Sequence, residues 1–201
     1  DQWKDISDLC KNKGHVVFFD SAYQGFASGD SEKDAQALRY FVSPDGGGHS
    51  TNVLLAQSFA KNFGLYGERC GTLSVLTEST EQRDRIMSQL KLLIRPMYSS
   101  PPIHGSSIVK TILSDEALTA QYYKECAHMA HRISAMRQKL VATLKDVGSV
   151  HDWSHVSDQI GMFAFTGMSS DMVLRLTAEY EIYLTLDGRI SLAGLNDNNV
   201  E

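Results

Sequence analysis

Long apolar runs and basic blocks are both missing from this sequence. Its longest apolar stretches, such as Val16 to Phe19 and Leu92 to Ile94, fall far short of the roughly 20 residues that a transmembrane helix needs. Lysine and arginine are scattered and outnumbered by acidic residues, which leaves a formal net charge of −5. These absences argue against a membrane protein and against a nucleic-acid partner.

Cysteine is scarce as well. The 3 cysteines, Cys10, Cys70 and Cys126, are odd in number and widely spaced, which fits neither a disulfide framework nor a zinc cluster. Two histidine pairs have a metal-like spacing, but no cysteine or carboxylate completes either set, so we predict no metal site. The pairs are His128 with His131 and His151 with His155. Reduced thiols favour an intracellular protein, cytoplasmic with mitochondrial as the alternative.

The composition that remains is globular, with 42% hydrophobic and 21% charged residues. Apolar runs alternate with helical stretches, a pattern typical of an α/β fold. The run Val16 to Phe19, which ends at Asp20, is typical of a strand buried on both faces of a parallel sheet. We predict strands over 15–20, 53–59 and 71–76, and helices over 2–12, 31–42 and 79–95, the last stopped by Pro96.

A longer helix is predicted over residues 115–147, with Ser114 as its N-cap and Gly148 at its end. At 1.5 Å per residue it is about 50 Å long, too long for one small domain, so we expect it to bridge two. A strand over 160–166, a helix over 169–181 and a β pair within 182–193 then form a second, smaller α/β unit.

Lys61 has an unusual setting for a lysine. It follows the predicted strand 53–59 and stands between Phe59 and Phe63, which would shield its amine from water. A shielded amine is a usable nucleophile for a carbonyl, so Lys61 is a candidate for holding a cofactor through a Schiff base.

Four other side chains would complete a pyridoxal site around that lysine. Asp20, at the end of its strand, offers a carboxylate for the ring nitrogen, and Tyr23 offers a donor for the phenolate oxygen. Ser58 and Arg69 flank Lys61 and could bind the phosphate. Taken singly, Asp20 could equally be a turn or helix cap, and Arg69 a surface ion pair.

Five segments resemble one family, the class I pyridoxal-phosphate-dependent aminotransferases and among them the aspartate aminotransferases, in the same order and at nearly the same spacing. The segments are Phe18 to Phe26, Gln57 to Arg69, Ser99 to Pro102, Gly161 to Phe163 and Gly188 to Ile190. The resemblance covers essentially the whole chain and implies the C-terminal half of a fold type I α/β enzyme. A start at Asp1, with neither initiator Met nor signal peptide, fits that expectation.

The resemblance also implies how the cofactor, pyridoxal 5′-phosphate, is bound. Lys61 is similar to the lysine that forms the internal aldimine and moves a proton between the substrate Cα and the cofactor. Asp20 is similar to the partner of the ring nitrogen and Tyr23 to that of the phenolate oxygen. Ser58 and Arg69 are similar to the phosphate-binding pair.

Three further residues resemble those that bind substrate in this family. Arg189 is similar to the arginine that grips the α-carboxylate, and Phe163 to the aromatic residue that lines the pocket. Arg95 resembles the arginine that reaches from the neighbouring subunit to the side-chain carboxylate. The resemblance therefore implies a homodimer that exchanges an amino group between aspartate or glutamate and the 2-oxo acids 2-oxoglutarate and oxaloacetate.

The same resemblance divides the chain into residues 1–128, part of the large cofactor domain, and 129–201, the interdomain helix and part of the small domain. Residues 46–50 look inserted relative to the family, and we expect them to form a surface loop. Ala60 stands where many members have serine. Nothing corresponds to the family's aromatic residue that stacks on the cofactor ring, to its phosphate-binding loop or to the tyrosine that the partner subunit contributes. We therefore expect this chain alone to be inactive.

Two alternatives stay open. A pyridoxal-dependent aminotransferase of aromatic amino acids would keep the cofactor site, but a fixed cation at Arg95 has no purpose for an apolar side chain. A non-catalytic fragment would keep the fold without the chemistry, and would not bind the cofactor covalently.

Overall fold

The computed structural model describes residues 2–200 and divides into two compact units. The first unit runs up to Gly25 and continues over Ser31–Tyr122, while the second comprises Phe26–Asp30 and the chain from Tyr123 onward. Each unit has its own sheet and its own helices, as an α/β sequence pattern predicts.

A three-stranded sheet forms the centre of the first unit. Its strands are β1 (Val17–Ser21), β2 (Val53–Ser58) and β3 (Gly71–Val75), in that order across the sheet. The parallel pairing of β1 with β2 agrees with the sequence pattern, but β3 runs antiparallel to β2, so the prediction of a parallel sheet is wrong there. The physical reason is the connection, because a chain that returns without a crossover helix can only pair antiparallel.

The burial of β1 also differs from the prediction. Phe19 contacts the helices of this unit, with its ring centroid 5.0 Å from that of Phe41 and 6.3 Å from that of Trp3. Phe18, on the opposite face, is 63% exposed, and Asp20 is exposed as well. A continuous apolar run does not show whether one face of a strand is covered or both, which is why the prediction of two buried faces is wrong.

The helices of the first unit largely follow the sequence pattern. They are α1 (Gln2–Lys13), α2 (Ser31–Asp34), α3 (Gln36–Val42), α4 (Thr80–Met97) and α5 (His104–Leu113). The predicted helix 31–42 is interrupted at Ala35, and α5 was not predicted. Pro96 lies inside the last turn of α4, where its missing N–H costs one backbone hydrogen bond, and the helix ends at Met97, two residues beyond the predicted end.

The segment 46–50 is a loop in which Gly47 and His49 are buried in the first unit, while Ser50 is exposed. His49 is 8% exposed, stacks on Phe41 at 5.2 Å and makes a 3.1 Å hydrogen bond with the Ser7 hydroxyl of α1. Gly47 is buried and lies so close to α3 that a Cβ there would be 2.9 Å from the Phe41 carbonyl oxygen. The prediction of a surface loop is therefore wrong for Gly47 and His49, since glycine lets this backbone pack closely against α3.

The long helix α6 (Glu116–Asp146) has 31 residues, about 46 Å at 1.5 Å per residue, and the boundary between the units falls inside it. Its first turn is capped by Asp115, whose carboxylate accepts a 2.9 Å hydrogen bond from the Leu118 backbone N–H. The predicted cap, Ser114, instead ends α5. Gly148 follows α6 with a φ of +82°, the left-handed conformation that glycine adopts freely.

The second unit contains a two-stranded sheet and the C-terminal part of α6. Its other elements are α7 (Ser154–Asp158), β4 (Phe163–Phe165), α8 (Ser170–Tyr180), β5 (Arg189–Ser191) and a 3₁₀ turn (Leu192–Gly194). The predicted strand over 160–166 and helix over 169–181 are confirmed, but the β pair forms between β4 and β5 and not within 182–193. Cys126, Ala130, Ile133 and Met136 are the buried stripe of α6. No helix in residues 2–200 is both long and apolar enough to cross a membrane.

Candidate active site

A cavity of about 260 Å³ opens where β1 and β2 end in the first unit. Asp20, Ser58 and Arg69 all line it, together with Ala60. The parallel pairing explains part of this, because the register places Asp20 opposite Ala56, two residues before Ser58. A carboxylate, a hydroxyl and a guanidinium thus share one small cavity at the edge of the sheet.

Lys61 lies next to this cavity, since it follows the lining residue Ala60. Its Nζ is 5.9 Å from the Tyr23 ring centroid and 5.6 Å from that of Tyr66. Both distances are within the range of cation–π contacts. The side chain is half-buried between two tyrosines, whereas the predicted neighbours Phe59 and Phe63 pack against each other at 5.4 Å.

The turn after β2 sets the direction of these side chains. The Ser58 hydroxyl accepts a 3.2 Å hydrogen bond from the Ala60 N–H, and the Phe59 N–H donates to the Cys70 carbonyl at 3.0 Å. Arg69 has a φ of +49°, a left-handed conformation that is costly for a residue with a side chain. Its guanidinium donates to the Tyr66 carbonyl at 3.2 Å, a local bond within the part of the connection that precedes β3.

Polar residues that the sequence analysis did not single out join the loops after β1 and β2. The Asn62 side chain donates to the Gln24 carbonyl at 3.1 Å, and the Gln57 side chain donates to the Gln24 side-chain oxygen. These bonds hold the Tyr23 loop against the Lys61 loop. All three residues lie within the segments that resemble the family, but no sequence signal marked them as hydrogen-bond partners.

Arg95 lies away from the other predicted residues. It is exposed in the last turn of α4 and donates a 2.7 Å hydrogen bond to the Ser99 hydroxyl, and it does not line the cavity at Asp20. Ser99 itself has a φ of +60°, which turns the chain directly after the helix.

Arg189 and Phe163 lie together in the second unit. The guanidinium carbon of Arg189 is 4.9 Å from the Phe163 ring centroid, and both side chains are exposed. The β4–β5 register pairs Phe165 with Arg189, so Phe163 is the diagonal neighbour of Arg189 on the same face. The Thr185 hydroxyl lowers the pKa of the nearby Asp187 carboxyl by donating to it, and the Arg189 N–H acts in the same direction.

Metal ligands do not cluster in the described chain. Within residues 2–200, no group of three or more histidines, cysteines, aspartates or glutamates is arranged so that it could hold a metal ion.

Comparison with known proteins identifies the family of the chain. The family model for aminotransferase class I and II matches residues 1–201. The chain is 57% identical over 201 residues to the mitochondrial aspartate aminotransferase of Dictyostelium discoideum, covering 100% of the chain and 46% of that relative. It is 54% identical over 200 residues to the cytoplasmic aspartate aminotransferase of Oryza sativa subsp. japonica, covering 100% of the chain and 48% of that relative.

Solved structures share the fold. A mitochondrial aspartate aminotransferase from Trypanosoma brucei superposes with a TM-score of 0.93 at 48% identity, over 98% of this chain and 51% of the other. An aromatic-amino-acid aminotransferase from Burkholderia pseudomallei, covalently bound to pyridoxal phosphate, also has a TM-score of 0.93, at 42% identity, over 99% of this chain and 48% of the other.

The fold and these matches define an α/β chain of the pyridoxal-phosphate-dependent aminotransferase type. The chain belongs to the aminotransferase class I and II family. It spans about half the length of the curated relatives that it matches.

Proposed function

We propose that the protein carrying this chain is an aspartate aminotransferase that uses pyridoxal 5′-phosphate. It would move an amino group between aspartate or glutamate and the 2-oxo acids 2-oxoglutarate and oxaloacetate. The observation that carries this proposal is the cavity at the end of β1 and β2, where Asp20, Ser58 and Arg69 meet beside Lys61.

The residues of the cavity fit the cofactor by their chemistry. Asp20 supplies a negative charge for a protonated ring nitrogen, while Arg69 and Ser58 supply the charge and the hydroxyl that a phosphate needs. Lys61 supplies the primary amine that would hold the cofactor's aldehyde, and Tyr23 is close enough to that amine to reach the same ring. When bound, the cofactor supplies an electron sink for the bonds of the substrate Cα.

Lys61 is also the base that we assign to the substrate. Its half-buried amine, held between the rings of Tyr23 and Tyr66, would take the proton from the Cα of the amino acid and return it in the reverse reaction. The two flanking rings restrain the position of this side chain, so its neutral amine would reach the Cα proton from one direction.

Two arginines are assigned to the two carboxylates of the substrate. Arg189, beside Phe163, would bind the α-carboxylate that every amino acid has, since a guanidinium can donate two parallel hydrogen bonds to it. Arg95 would act from one subunit on the side-chain carboxylate bound in the other, which requires a homodimer. Its exposed position at the end of α4, outside the Asp20 cavity, is compatible with that role.

The wider assignments follow from the same proposal. Residues 1–128 would belong to the large cofactor domain and residues 129–201 to the interdomain helix and the small domain. We place the protein inside the cell, in the cytoplasm or the mitochondrion, because the relatives are named for both compartments.

The proposal is tested by comparing kcat/KM for aspartate and phenylalanine in the protein that carries this chain, with 2-oxoglutarate as the acceptor. Aspartate should be preferred by at least about two orders of magnitude, because a buried carboxylate gains a charged partner that a phenyl ring cannot use. A preference for phenylalanine would instead identify an aromatic-amino-acid aminotransferase, such as the Burkholderia pseudomallei relative. Failure to bind pyridoxal phosphate, measured by absorbance after gel filtration, would leave only a non-catalytic protein with this fold.

A further inference from the structure

Arg137 is a buried charged side chain, with 3% of its surface exposed, and none of the proposed steps uses it. It lies on α6 and donates to three backbone carbonyls: that of Val156 at 2.7 Å, that of Gly161 at 2.9 Å and that of Phe163 at 2.5 Å. Burial lowers the pKa of Arg137, but a guanidinium stays protonated in proteins. A buried cation that is bound by neutral carbonyls is costly to keep for stability alone.

The carbonyls that Arg137 binds flank one edge of β4. The other edge pairs with β5, and the ladder is extended by hydrogen bonds from Leu192 to Met162 at 2.8 Å and from Thr166 to Gly188 at 3.0 Å. The carbonyl of Phe163 faces away from β5 and accepts a hydrogen bond from Arg137. A guanidinium on α6 therefore binds this strand edge where a third strand would otherwise pair.

Two other side chains continue this edge. The Gln159 side-chain oxygen accepts a 3.1 Å hydrogen bond from the Phe165 N–H, and a His155 ring nitrogen lies 3.1 Å from the Phe165 carbonyl oxygen. Only Arg137 carries a fixed charge and binds more than one carbonyl, so it is the main constraint on where β4 begins.

Phe163 connects this edge to the substrate arginine. Its carbonyl is held by Arg137, and its ring lies 4.9 Å from the guanidinium carbon of Arg189. A shift of the β4 backbone would move the ring and, through the β4–β5 ladder, the strand that carries Arg189. A binding group that moves by about 1 Å can lose up to a hundredfold in rate.

We propose that Arg137 is a positioning residue for the substrate α-carboxylate: by binding the carbonyls of Gly161 and Phe163 it holds the Phe163–Arg189 pair in its binding geometry. This inference rests on the proposed function, because it takes Arg189 as the residue that binds the α-carboxylate. Arg137 itself touches neither substrate nor cofactor in this account.

The test uses Arg137→Met and Arg137→Lys in the protein that carries this chain, with Arg175→Met as a matched control. Arg175 lies in the same unit and pairs with Glu179 on its own helix, away from β4. We expect Arg137→Met to lower kcat/KM for every amino acid by about tenfold to a hundredfold. Arg137→Lys should recover part of the loss, because it keeps the charge but not the fork that spans several carbonyls.

Three further readouts separate positioning from a merely structural role. The dissociation constant of succinate, a dicarboxylate with no amino group to react, should rise with Arg137→Met, while that of pyridoxal phosphate should not change. Arg175→Met should change neither. The double variant Arg137→Met with Arg189→Ala should be no worse than Arg189→Ala alone, because positioning an absent arginine has no effect.

The possible outcomes distinguish the inference from the proposed function. If Arg189→Ala impairs every amino acid but Arg137→Met only lowers Tm, or its effect adds fully to that of Arg189→Ala, the positioning role is refuted and the proposed function stands. If Arg189→Ala leaves kcat/KM unchanged, the assignment of Arg189 to the α-carboxylate and the positioning role of Arg137 are both refuted, and the preference for aspartate still decides the proposed function. Should Arg137→Met fail to fold, Arg137→Lys decides by the same succinate measurement, and an unchanged dissociation constant refutes the inference.

Discussion

Replacing Arg95 by leucine separates the proposed substrate from its closest alternative. Arg95 is exposed, and within residues 2–200 the one hydrogen bond of its side chain is the 2.7 Å bond to the Ser99 hydroxyl. Because exposed substitutions of this kind change stability by no more than about 0.5 kcal/mol, the free energy of unfolding should hardly change. The effect should therefore fall on substrate binding.

The size of that effect follows from the charge that is lost. A buried carboxylate that loses its cation is destabilised by about 3 to 5 kcal/mol, which corresponds to at least two orders of magnitude in kcat/KM. Aspartate and glutamate have this second carboxylate, so kcat/KM should fall for both. An amino acid with an apolar side chain does not have it, and its kcat/KM should stay within a few-fold of the original value.

The assay measures kcat/KM for aspartate, glutamate, alanine and phenylalanine with Arg95→Leu, with the unchanged protein and with Arg85→Leu. Arg85 lies on the same helix, is exposed and pairs with Glu81 at 3.9 Å, so it controls for the loss of a surface charge on α4. Arg85→Leu should leave all four values unchanged. If Arg95→Leu lowered kcat/KM equally for all four substrates, Arg95 would be structural and the reasoning would be refuted.

Further predictions concern the cavity and the chain by itself. Lys61→Ala should abolish transamination, because the amine beside Tyr23 and Tyr66 is the proposed nucleophile and base; wild-type turnover of aspartate would contradict the assignment. Asp20→Ala should raise the dissociation constant of pyridoxal phosphate and lower kcat together, since the cavity loses its carboxylate, and equal values for both proteins would remove Asp20 from the site. The purified 201-residue chain should associate and turn over aspartate poorly compared with a longer protein that contains it, because Phe18 and Leu73 expose 63% and 51% of their surface along the sheet. A monomer by sedimentation with comparable turnover would show that the rest of such a protein is dispensable.

Local sequence was enough to predict most elements and the chemistry of the candidate site. The apolar run before Lys61 predicted β2, and the amphipathic stretch over 79–95 predicted α4. In the structure the Ser79 hydroxyl caps that helix by accepting from the Gln82 N–H. These features depend on residues within a few positions of each other, because caps, turns and periodicity act over one or two turns of chain. The residue types of a cofactor site could likewise be read from their order along the chain.

Only the tertiary structure decided which groups meet. The antiparallel direction of β3 and the burial of His49 against Ser7 depend on partners 13 to 42 positions away in the chain. The exposed face of Phe18 depends on what covers that face of the sheet. Arg137 is the clearest case. In the sequence it is one of several charged residues on a predicted helix, but in the structure its guanidinium binds carbonyls up to 26 positions ahead. A hydrophobic pattern records that a residue prefers burial, but the acceptor that a buried charge finds is determined by how distant segments pack.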